Sequence, residues 1–294
     1  MHKRSLRAML AGAALAGAGL CAVASAQATT LPTLTLTVTK TSITVGGSTQ
    51  SGAVNVVSTA GAGVKESNAI LFLLKPGATV AEVESALKGG AGKDPNKATK
   101  YGTIVFDAEA SSGATNEAQT YLQPGNYVAL GSTGEGGPKL KEPFTVTAAA
   151  SPAALPTPEA TIRSIEFGFR GPSTLHDGEL VRFENEGYLV HMDIVFPVKN
   201  RNAAKTVVKD LLAGKEKGIE KLITGAPFGA GPLSHEAFQQ TTITAKPGWY
   251  VQACFMETQD GRPHTRLGML RKYKIVKYQP RIDGEGPSRG TGRA

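Results

Sequence analysis

The residues best suited to chemistry in this sequence are a cysteine, two histidines and a methionine in the second half of the chain. Cys254, His264 and Met269 lie in the segment CFMETQDGRPHTRLGM, and His191 lies upstream in FENEGYLVHMDIVF. A thiolate, imidazoles and a thioether are soft or borderline ligands, which suit copper better than calcium or magnesium. Two His and one Cys with a weak axial Met form the trigonal set of mononuclear electron-transfer copper sites. The four residues therefore predict one bound copper ion.

Cys254 has no second cysteine to pair with once the first residues are set aside, because the chain holds two cysteines and the other is Cys21. Cysteines of exported proteins usually form disulfides. An unpaired Cys254 is then a buried inert thiol, a link to another chain or a metal ligand. Met256 lies in the same segment and is a second candidate for the axial position.

The beginning of the chain predicts export. Lys3, Arg4 and Arg7 precede the uncharged run 8–23, and Ala24-Ser25-Ala26 has the small-residue pattern of a signal peptidase site. We therefore expect residues 1–26 to be a cleaved signal peptide that includes Cys21. The mature protein would be periplasmic or extracellular, and no later stretch is apolar and long enough to span a bilayer.

The charge distribution bears on partners. The formal net charge is +8, and its basic excess outside the signal peptide lies in residues 160–278. Neither a block of like charge nor a basic and aromatic pattern is present, so no nucleic-acid partner is predicted. The excess is explained by a solvated surface, or more specifically by docking of an acidic redox partner protein.

The elements that must position these residues are mostly strands. Strand patterns are predicted at 34–38, 69–74, 103–106, 127–130 and 144–147, and short helices at 80–87 and 203–212. The segment AAASPAALPTPEA is rich in proline and small residues, which predicts a linker at 149–159. We expect an all-β protein with two β-sandwich domains, 27–148 and 160–278, each with a short helix. A Gly, Pro and Arg-rich tail, 279–294, is predicted to be disordered.

The two predicted domains follow one plan, which indicates an internal duplication. LQPGNYVALG in the first half corresponds to AKPGWYVQAC in the second, and PFTVTA corresponds to KYKIVK. In this alignment Cys254 lies opposite Gly131 and His191 lies near Asn68. Residues 27–160 contain no His or Cys, so soft-metal chemistry is expected only in the second half.

The segment after Cys254 is suited to bring His264 back toward the thiol. Cys254 ends the strand GWYVQACF, and Met269 begins the next strand. Asp260-Gly261 is a turn signal, and Pro263 restricts the residue before it. Gly268 permits a close backbone approach next to Met269.

Residues 160–278 resemble the cupredoxin family, the blue or type 1 copper domains. The resemblance is carried by Gly248-x-Tyr250-x-x-x-Cys254, by His264-x-x-x-Gly268-Met269 and by Phe183-x-Asn185 followed by His191. It implies a Greek-key sandwich in which His191 and His264 are imidazole ligands, Cys254 is the thiolate and Met269 is the axial thioether. The first half resembles the fold only and is expected to be a degenerate copy without metal ligands.

The resemblance implies single-electron transfer, and we expect a protein that is not an enzyme. Multicopper oxidases and copper nitrite reductases need further His-rich sites, whereas Ala253 and Phe255 flank Cys254 and no His-x-His occurs. Only His176 and His235 remain for a second centre, and both are expected on the surface. A catalytic Cys-His pair lacks its usual setting near a helix N-terminus. The alternatives are a copper-free binding module of the cell envelope, and copper storage or delivery without redox turnover.

Overall fold

Strands dominate the part of the chain that the structure, a computed structural model, describes, namely residues 30–87, 94–134 and 138–278. The strands of the first half are β1 (Thr33–Val38), β2 (Ile43–Gly47), β3 (Gly52–Ala60), β4 (Glu66–Leu74), β5 (Gly102–Ser111), β6 (Thr115–Leu122), β7 (Gly125–Ser132) and β8 (Leu140–Val146). Those of the second half are β9 (Ala160–Ile165), β10 (Gly168–Arg170), β11 (Thr174–His176), β12 (Leu180–Asn185), β13 (His191–Val198), β14 (Phe228–Leu233), β15 (Phe238–Thr242), β16 (Gly248–Ala253) and β17 (Leu270–Val276). The predicted all-β class is confirmed. The predicted signal peptide and tail lie outside the described residues.

Two short helices interrupt the strands of the described residues, α1 (Val80–Leu87) and α2 (Arg201–Leu212). The predicted helix at 80–87 matches α1, and α2 begins two residues before its predicted start. Asn200 explains the earlier start, because its side chain accepts a hydrogen bond from the Ala203 N–H as an N-cap. Three 3-10 turns are also present among the described residues, at Pro95–Ala98, Ile219–Leu222 and His264–Leu267.

The two halves repeat one pattern of strand pairing. In the first half β1 pairs antiparallel with β2 and parallel with β3, and β3 pairs with β6. In the second half β9 pairs antiparallel with β10 and parallel with β12, and β12 pairs with β15. The sheets that oppose these strands have matching strand orders as well. The order is β5-β4-β7-β8 in the first half and β14-β13-β16-β17 in the second, where β11 pairs with β17 as an additional edge strand.

One sheet runs through both halves. Its order is β10-β9-β12-β15-β6-β3-β1-β2, and the halves meet where Gln240 of β15 pairs with Gln119 of β6. The Gln240 side chain donates a 2.9 Å hydrogen bond to the Gln119 side chain. Each half buries its own apolar core between this shared sheet and the sheet that opposes it.

The predicted linker packs against both halves. Ala153 accepts a hydrogen bond from the Ala53 N–H at 2.9 Å, and Pro156 accepts one from the Gln240 side chain at 3.0 Å. The described residues from Leu31 onward belong to one compact unit. The division into two domains at 149–159 stays a prediction. Among the described residues, no helix combines the length and the apolar character needed to cross a membrane.

A buried carboxyl group lies where the halves meet. Asp107 of β5 is 2% exposed, and it accepts a hydrogen bond from the Asn68 side chain at 2.6 Å. Its backbone is held from the second half by Gln239, whose amide accepts from the Asp107 N–H and donates to the Asp107 carbonyl, both at 3.2 Å. Burial raises the pKa of Asp107 to about 8. The folded protein therefore keeps this carboxyl protonated well above the pH at which it ionises in the unfolded chain.

We expect Asp107 to contribute a fall in the free energy of unfolding as the pH rises from about 4 to about 8, because in that window only the unfolded chain has released the Asp107 proton. Asp107→Asn, neutral at every pH, is expected to reduce this decline by an amount on the order of a few kcal/mol. Asp193, whose pKa burial raises to about 7, contributes a similar decline to both proteins. Urea denaturation at several pH values measures the difference. Glu142→Gln on the exposed face of β8 is the control and should leave the slope unchanged; an equal slope in Asp107→Asn would contradict the prediction.

Candidate metal centre

The loop between β12 and β13 places His191. Asn185 ends β12, is buried, and donates hydrogen bonds from its amide to the carbonyls of Leu189 and Leu233, both at 2.8 Å. Its side-chain oxygen accepts from the Gly187 N–H at 2.9 Å. A single buried amide thus holds both sides of the loop, and His191 follows as the first residue of β13.

Cys254 and Met269 lie opposite each other at the ends of two paired strands. Cys254 follows β16 and Met269 precedes β17, and the Cys254 N–H donates to the Met269 carbonyl at 3.1 Å. The Met269 N–H donates to the His264 carbonyl at 3.0 Å. This antiparallel edge therefore fixes three of the four predicted ligand residues relative to one another.

The segment between Cys254 and His264 is a tight turn closed by its own hydrogen bonds. The Thr258 N–H donates to the Arg262 carbonyl at 2.9 Å, and Gly261 has φ of 78°, a left-handed conformation that favours glycine. The His264 N–H then donates to the Met256 carbonyl at 2.8 Å. The turn predicted at Asp260-Gly261 is confirmed, and it returns His264 to the thiol.

His191, Cys254 and His264 point one ligand atom each into a small triangle. The His191 Nδ1 lies 3.2 Å from the His264 Nδ1, and the Cys254 Sγ lies 3.8 Å and 3.4 Å from these two nitrogens. A point in the plane of the three atoms lies roughly 2 Å from each, close to the length of metal–nitrogen bonds and slightly under that of metal–sulfur bonds. The donor set and its size fit a soft or borderline ion.

The three side chains are closed to solvent: His191 is 1% exposed, and Cys254 and His264 are fully buried. Burial lowers the pKa of both histidines, and the neighbouring His264 lowers that of His191 further. The imidazoles are therefore neutral at pH 7, as metal binding requires. Burial raises the pKa of the Cys254 thiol to about 12, so without a metal the thiol keeps its proton.

The imidazole rings of His191 and His264 also contact specific neighbours on the sides that face away from Cys254. The His191 Nε2 lies 3.6 Å from a carboxylate oxygen of Glu166, and that same oxygen accepts the Leu189 N–H at 2.9 Å. The His264 ring meets the Phe167 ring edge to face, with centroids 5.1 Å apart. Phe167 has φ of 40°, a conformation that non-glycine residues rarely adopt, so the backbone is strained where it packs on this ring.

The sulfur also has a defined environment. The Met192 N–H donates to the Cys254 Sγ at 3.4 Å, a contact that favours the thiolate and tunes a thiolate-bound metal. Met256 and Met269 are both buried and belong, with Cys254, to one apolar cluster. Both axial candidates are thus close to the sulfur, and Met269 is tied to it by the strand edge.

The other two histidines within the described residues lie apart from this cluster. The side chains of His176 and His235 are both 42% exposed, as the sequence led us to expect. His176 contacts Glu179, and His235 contacts the Gly187 carbonyl and stacks on Tyr188. The described part of the chain therefore brings together one His, Cys, His cluster.

Two contributors to the site were missed by the sequence reasoning. Glu166 faces His191 from the turn after β9, and Asn96 of the first half accepts the Val190 N–H at 2.8 Å. Neither residue belongs to a motif. Asn96 is 94 positions from Val190, so only the packing of the two halves reveals this contact.

A cavity of about 220 Å³ lies beside the cluster, between the two halves. Asp107 and Ile104 line it from the first half, and Met192 and Met256 line it from the second. Met192 and Met256 are close in sequence to His191 and Cys254. The first half therefore forms one wall of the space nearest the candidate centre.

Comparisons with known proteins find likeness in structure but not in sequence. No protein-family model matches the chain, and no curated protein matches it significantly. Among solved structures, auracyanin A of Chloroflexus aurantiacus, called a blue copper protein, is 18% identical over 40% of this chain and 96% of its own, with a TM-score of 0.27. At that TM-score it carries no argument about function.

Two larger enzymes match most of the chain. A Cu-containing nitrite reductase from Thermus scotoductus is 14% identical over 85% of this chain and 62% of its own, with a TM-score of 0.23. A multicopper oxidase from Pediococcus acidilactici is 9% identical over 85% of this chain and 60% of its own, with a TM-score of 0.22. These matches span both halves and contradict the expectation that the protein is not an enzyme. They assign no reaction to the chain, because likeness at these scores carries no argument about activity.

Gly187→Ala tests the positioning of His191. A Cβ at this position would lie 2.7 Å from both the His191 Nε2 and the Glu166 Oε1. Because that space is filled, the imidazole must turn away from Cys254, and we expect copper affinity to fall by about tenfold or more. Competition with a chromophoric chelator measures it. Gly168→Ala is the matched control, because its Cβ would meet Ile165 at an ordinary 3.7 Å; equal affinity of the Gly187 variant and the wild type would refute the assigned geometry.

Proposed function

We propose that this protein binds one copper ion through His191, Cys254 and His264, with Met269 as a weak axial ligand, and uses it for single-electron transfer. The triangle of two Nδ1 atoms and one Sγ is the observation that carries the proposal. Two imidazoles and a thiolate in one plane are the donor set of mononuclear electron-transfer copper sites. A bound copper ion would supply a reversible one-electron couple at this position.

The protein's own residues would keep the ligands in place during electron transfer. The Asn185 amide holds the loop that precedes His191, and the edge of β16 and β17 holds Cys254 against Met269. Ligation through Nδ1 leaves the proton on Nε2, which in His191 faces the Glu166 carboxylate. A rigid, dry set of ligands changes little between two metal oxidation states, which favours fast electron transfer.

We also infer that the two halves are copies of one Greek-key sandwich and that only the second kept metal ligands. The repeated order of strand pairing in the two halves supports this. Gly131 follows Leu130, which pairs with Ile70, and Cys254 follows Ala253, which pairs with Ile194. Asn68 lies two residues before Ile70 and His191 three residues before Ile194, so the two occupy neighbouring positions of β4 and β13. These are the positions that the sequence alignment matched.

Export and partner choice remain parts of the same proposal. The sequence of residues 1–26 supports secretion to the periplasm or the exterior, where a metal would keep a lone cysteine from oxidising. The basic excess of residues 160–278 supports docking of an acidic redox partner. An exposed side of α2 carries Lys205 and Lys209, which contribute to that excess.

The visible spectrum of the Cu(II) protein tests ligation by the thiolate. We expect the wild type to show an intense thiolate-to-copper band, and Cys254→Ser to lose it because a hydroxyl oxygen provides no such transition. Equilibrium dialysis with Cu(II) and Cu(I) accompanies the spectra. His176→Ala, which removes a half-exposed imidazole outside the cluster, is the control and should keep the band.

The alternatives give different results in the same experiment. Retention of Cu(I) without a coloured Cu(II) form would instead support copper storage or delivery. Loss of both oxidation states on dialysis would overturn the copper proposal and favour a copper-free binding module. A band that survives in Cys254→Ser would exclude this cysteine as the ligand.

The axial position is tested by comparing Met269→Leu with Met256→Leu. If Met269 is the axial ligand, its loss removes a donor that favours Cu(II), so the reduction potential should rise and the visible spectrum should change. Met256→Leu keeps the volume of the same buried cluster and should leave both unchanged. Redox titration with mediators measures the potentials. The reverse pattern would assign the axial role to Met256.

A further inference from the structure

Among the parts of the first half that pack near the candidate centre is one short segment, residues 94–98, which we call the cover turn. It contains the 3-10 turn Pro95–Ala98 and is capped by Asp94. Pro95 and Ala98 are buried, and Ala98 belongs to the apolar cluster that holds Cys254, Met256 and Met269. This segment of a half that has no His or Cys therefore packs against the residues around the thiol.

Asn96 makes the polar contact of the cover turn with the second half. Its side-chain oxygen accepts the Val190 N–H at 2.8 Å. Val190 is fully buried and immediately precedes His191. Because a buried N–H strongly prefers a partner, this bond fixes the backbone at the point where the His191 side chain departs.

The Asn96 side chain is itself held in the orientation that this contact needs. Its Nδ2 donates to an Asp94 carboxylate oxygen at 2.8 Å, and its backbone N–H donates to the same oxygen at 3.1 Å. The Asn96 carbonyl accepts from the Thr99 hydroxyl at 2.8 Å. With the amide nitrogen engaged by Asp94, the amide oxygen is the atom that faces Val190.

The cover turn is also anchored to the body of the first half. The Lys75 side chain donates to the Thr99 carbonyl at 2.9 Å, and the Lys75 N–H donates to the Tyr101 carbonyl at 2.9 Å. Ala98 packs in one cluster with Phe72 and Val128, which belong to β4 and β7. A displacement of Asn96 would therefore disturb this packing, so the turn is a firm support for the second half.

We propose that the first half is a structural part of the metal centre, in which Asn96 is a positioning residue for His191 and the cover turn keeps water from Cys254. This inference rests on the proposed copper function for its metal readouts. Asn96 acts through the Val190 backbone. It makes no side-chain hydrogen bond to any of the four predicted ligand residues in the described part of the chain. The first half thus contributes to the properties of the site without providing a ligand.

Asn96→Ala in the full protein removes the acceptor and is expected to loosen His191. Copper should be lost to a chelator about tenfold faster or more, and the visible band and the reduction potential should shift. Asn96→Asp keeps an acceptor oxygen for the Val190 N–H but places a carboxylate oxygen, instead of the Nδ2 donor, beside Asp94, so it should loosen His191 less than Asn96→Ala does and give a smaller shift of the band. Asn116→Ala is the matched control, because this asparagine of β6 bonds within the first half, to the Glu109 carbonyl.

A readout without copper separates this inference from the proposed function. In the metal-free protein, alkylation of Cys254 by iodoacetamide at constant pH, followed on its peptide by mass spectrometry, reports access to the thiol. Asn96→Ala should react several-fold faster than the wild type and faster than Asn96→Asp, whereas Asn116→Ala should react at the wild-type rate. If the wild type binds no copper, the proposed function fails and this rate still decides the inference.

The result that overturns the proposal is an Asn96→Ala protein with wild-type copper loss, spectrum, potential and alkylation rate. Thermal unfolding of each variant is measured alongside, because a globally unfolded variant would also expose Cys254. If Asn96→Ala does not fold, Asn96→Ser takes its place, because its side chain is too short to reach the Val190 N–H: faster alkylation of Cys254 than in the wild type supports the proposal, and the wild-type rate overturns it.

Discussion

Three polar ligand atoms held together in a dry interior are the constraint on which the second half depends. The Nδ1 atoms of His191 and His264 and the Sγ of Cys254 lie within 3.8 Å of one another, away from water. Buried polar groups are costly unless something satisfies them. One metal ion would engage all three inward-facing atoms at once, so the arrangement is far easier to explain as a metal centre than as packing.

That constraint explains why the supporting residues come from separate parts of the fold. His191 has Glu166 beside its outer nitrogen, and Asn96 holds the backbone just before it. His264 is held by a turn that closes on itself and by the Phe167 ring. Asn96 and Ala98 of the first half add to these contacts, so the geometry of the site also depends on how the two halves pack.

The sequence predicted what local interactions determine. The all-β class, the bounds of α1 and the turn at Asp260-Gly261 follow from residue pattern and turn chemistry over short distances. The shared sheet passes between the halves where Gln240 pairs with Gln119, and the Val190 N–H donates to Asn96. Each contact joins residues that are distant in sequence and belong to no motif, so the sequence did not predict it. The expectation of a protein that is not an enzyme relied on missing His-x-His motifs.

If the halves are copies, their present differences show how one fold can divide two tasks. At the place corresponding to Cys254, a Cβ on Gly131 would meet the Ile43 side chain at 3.2 Å, so apolar packing occupies the space next to the lost thiol. Asn68, near the position that corresponds to His191, donates to the buried Asp107. The first copy therefore has a packed interior at these positions, and it packs against the second copy. A copy without a metal of its own can instead cover the metal centre of the other copy. The cover turn with Asn96 is the part of its surface that contacts the residues around the ligands.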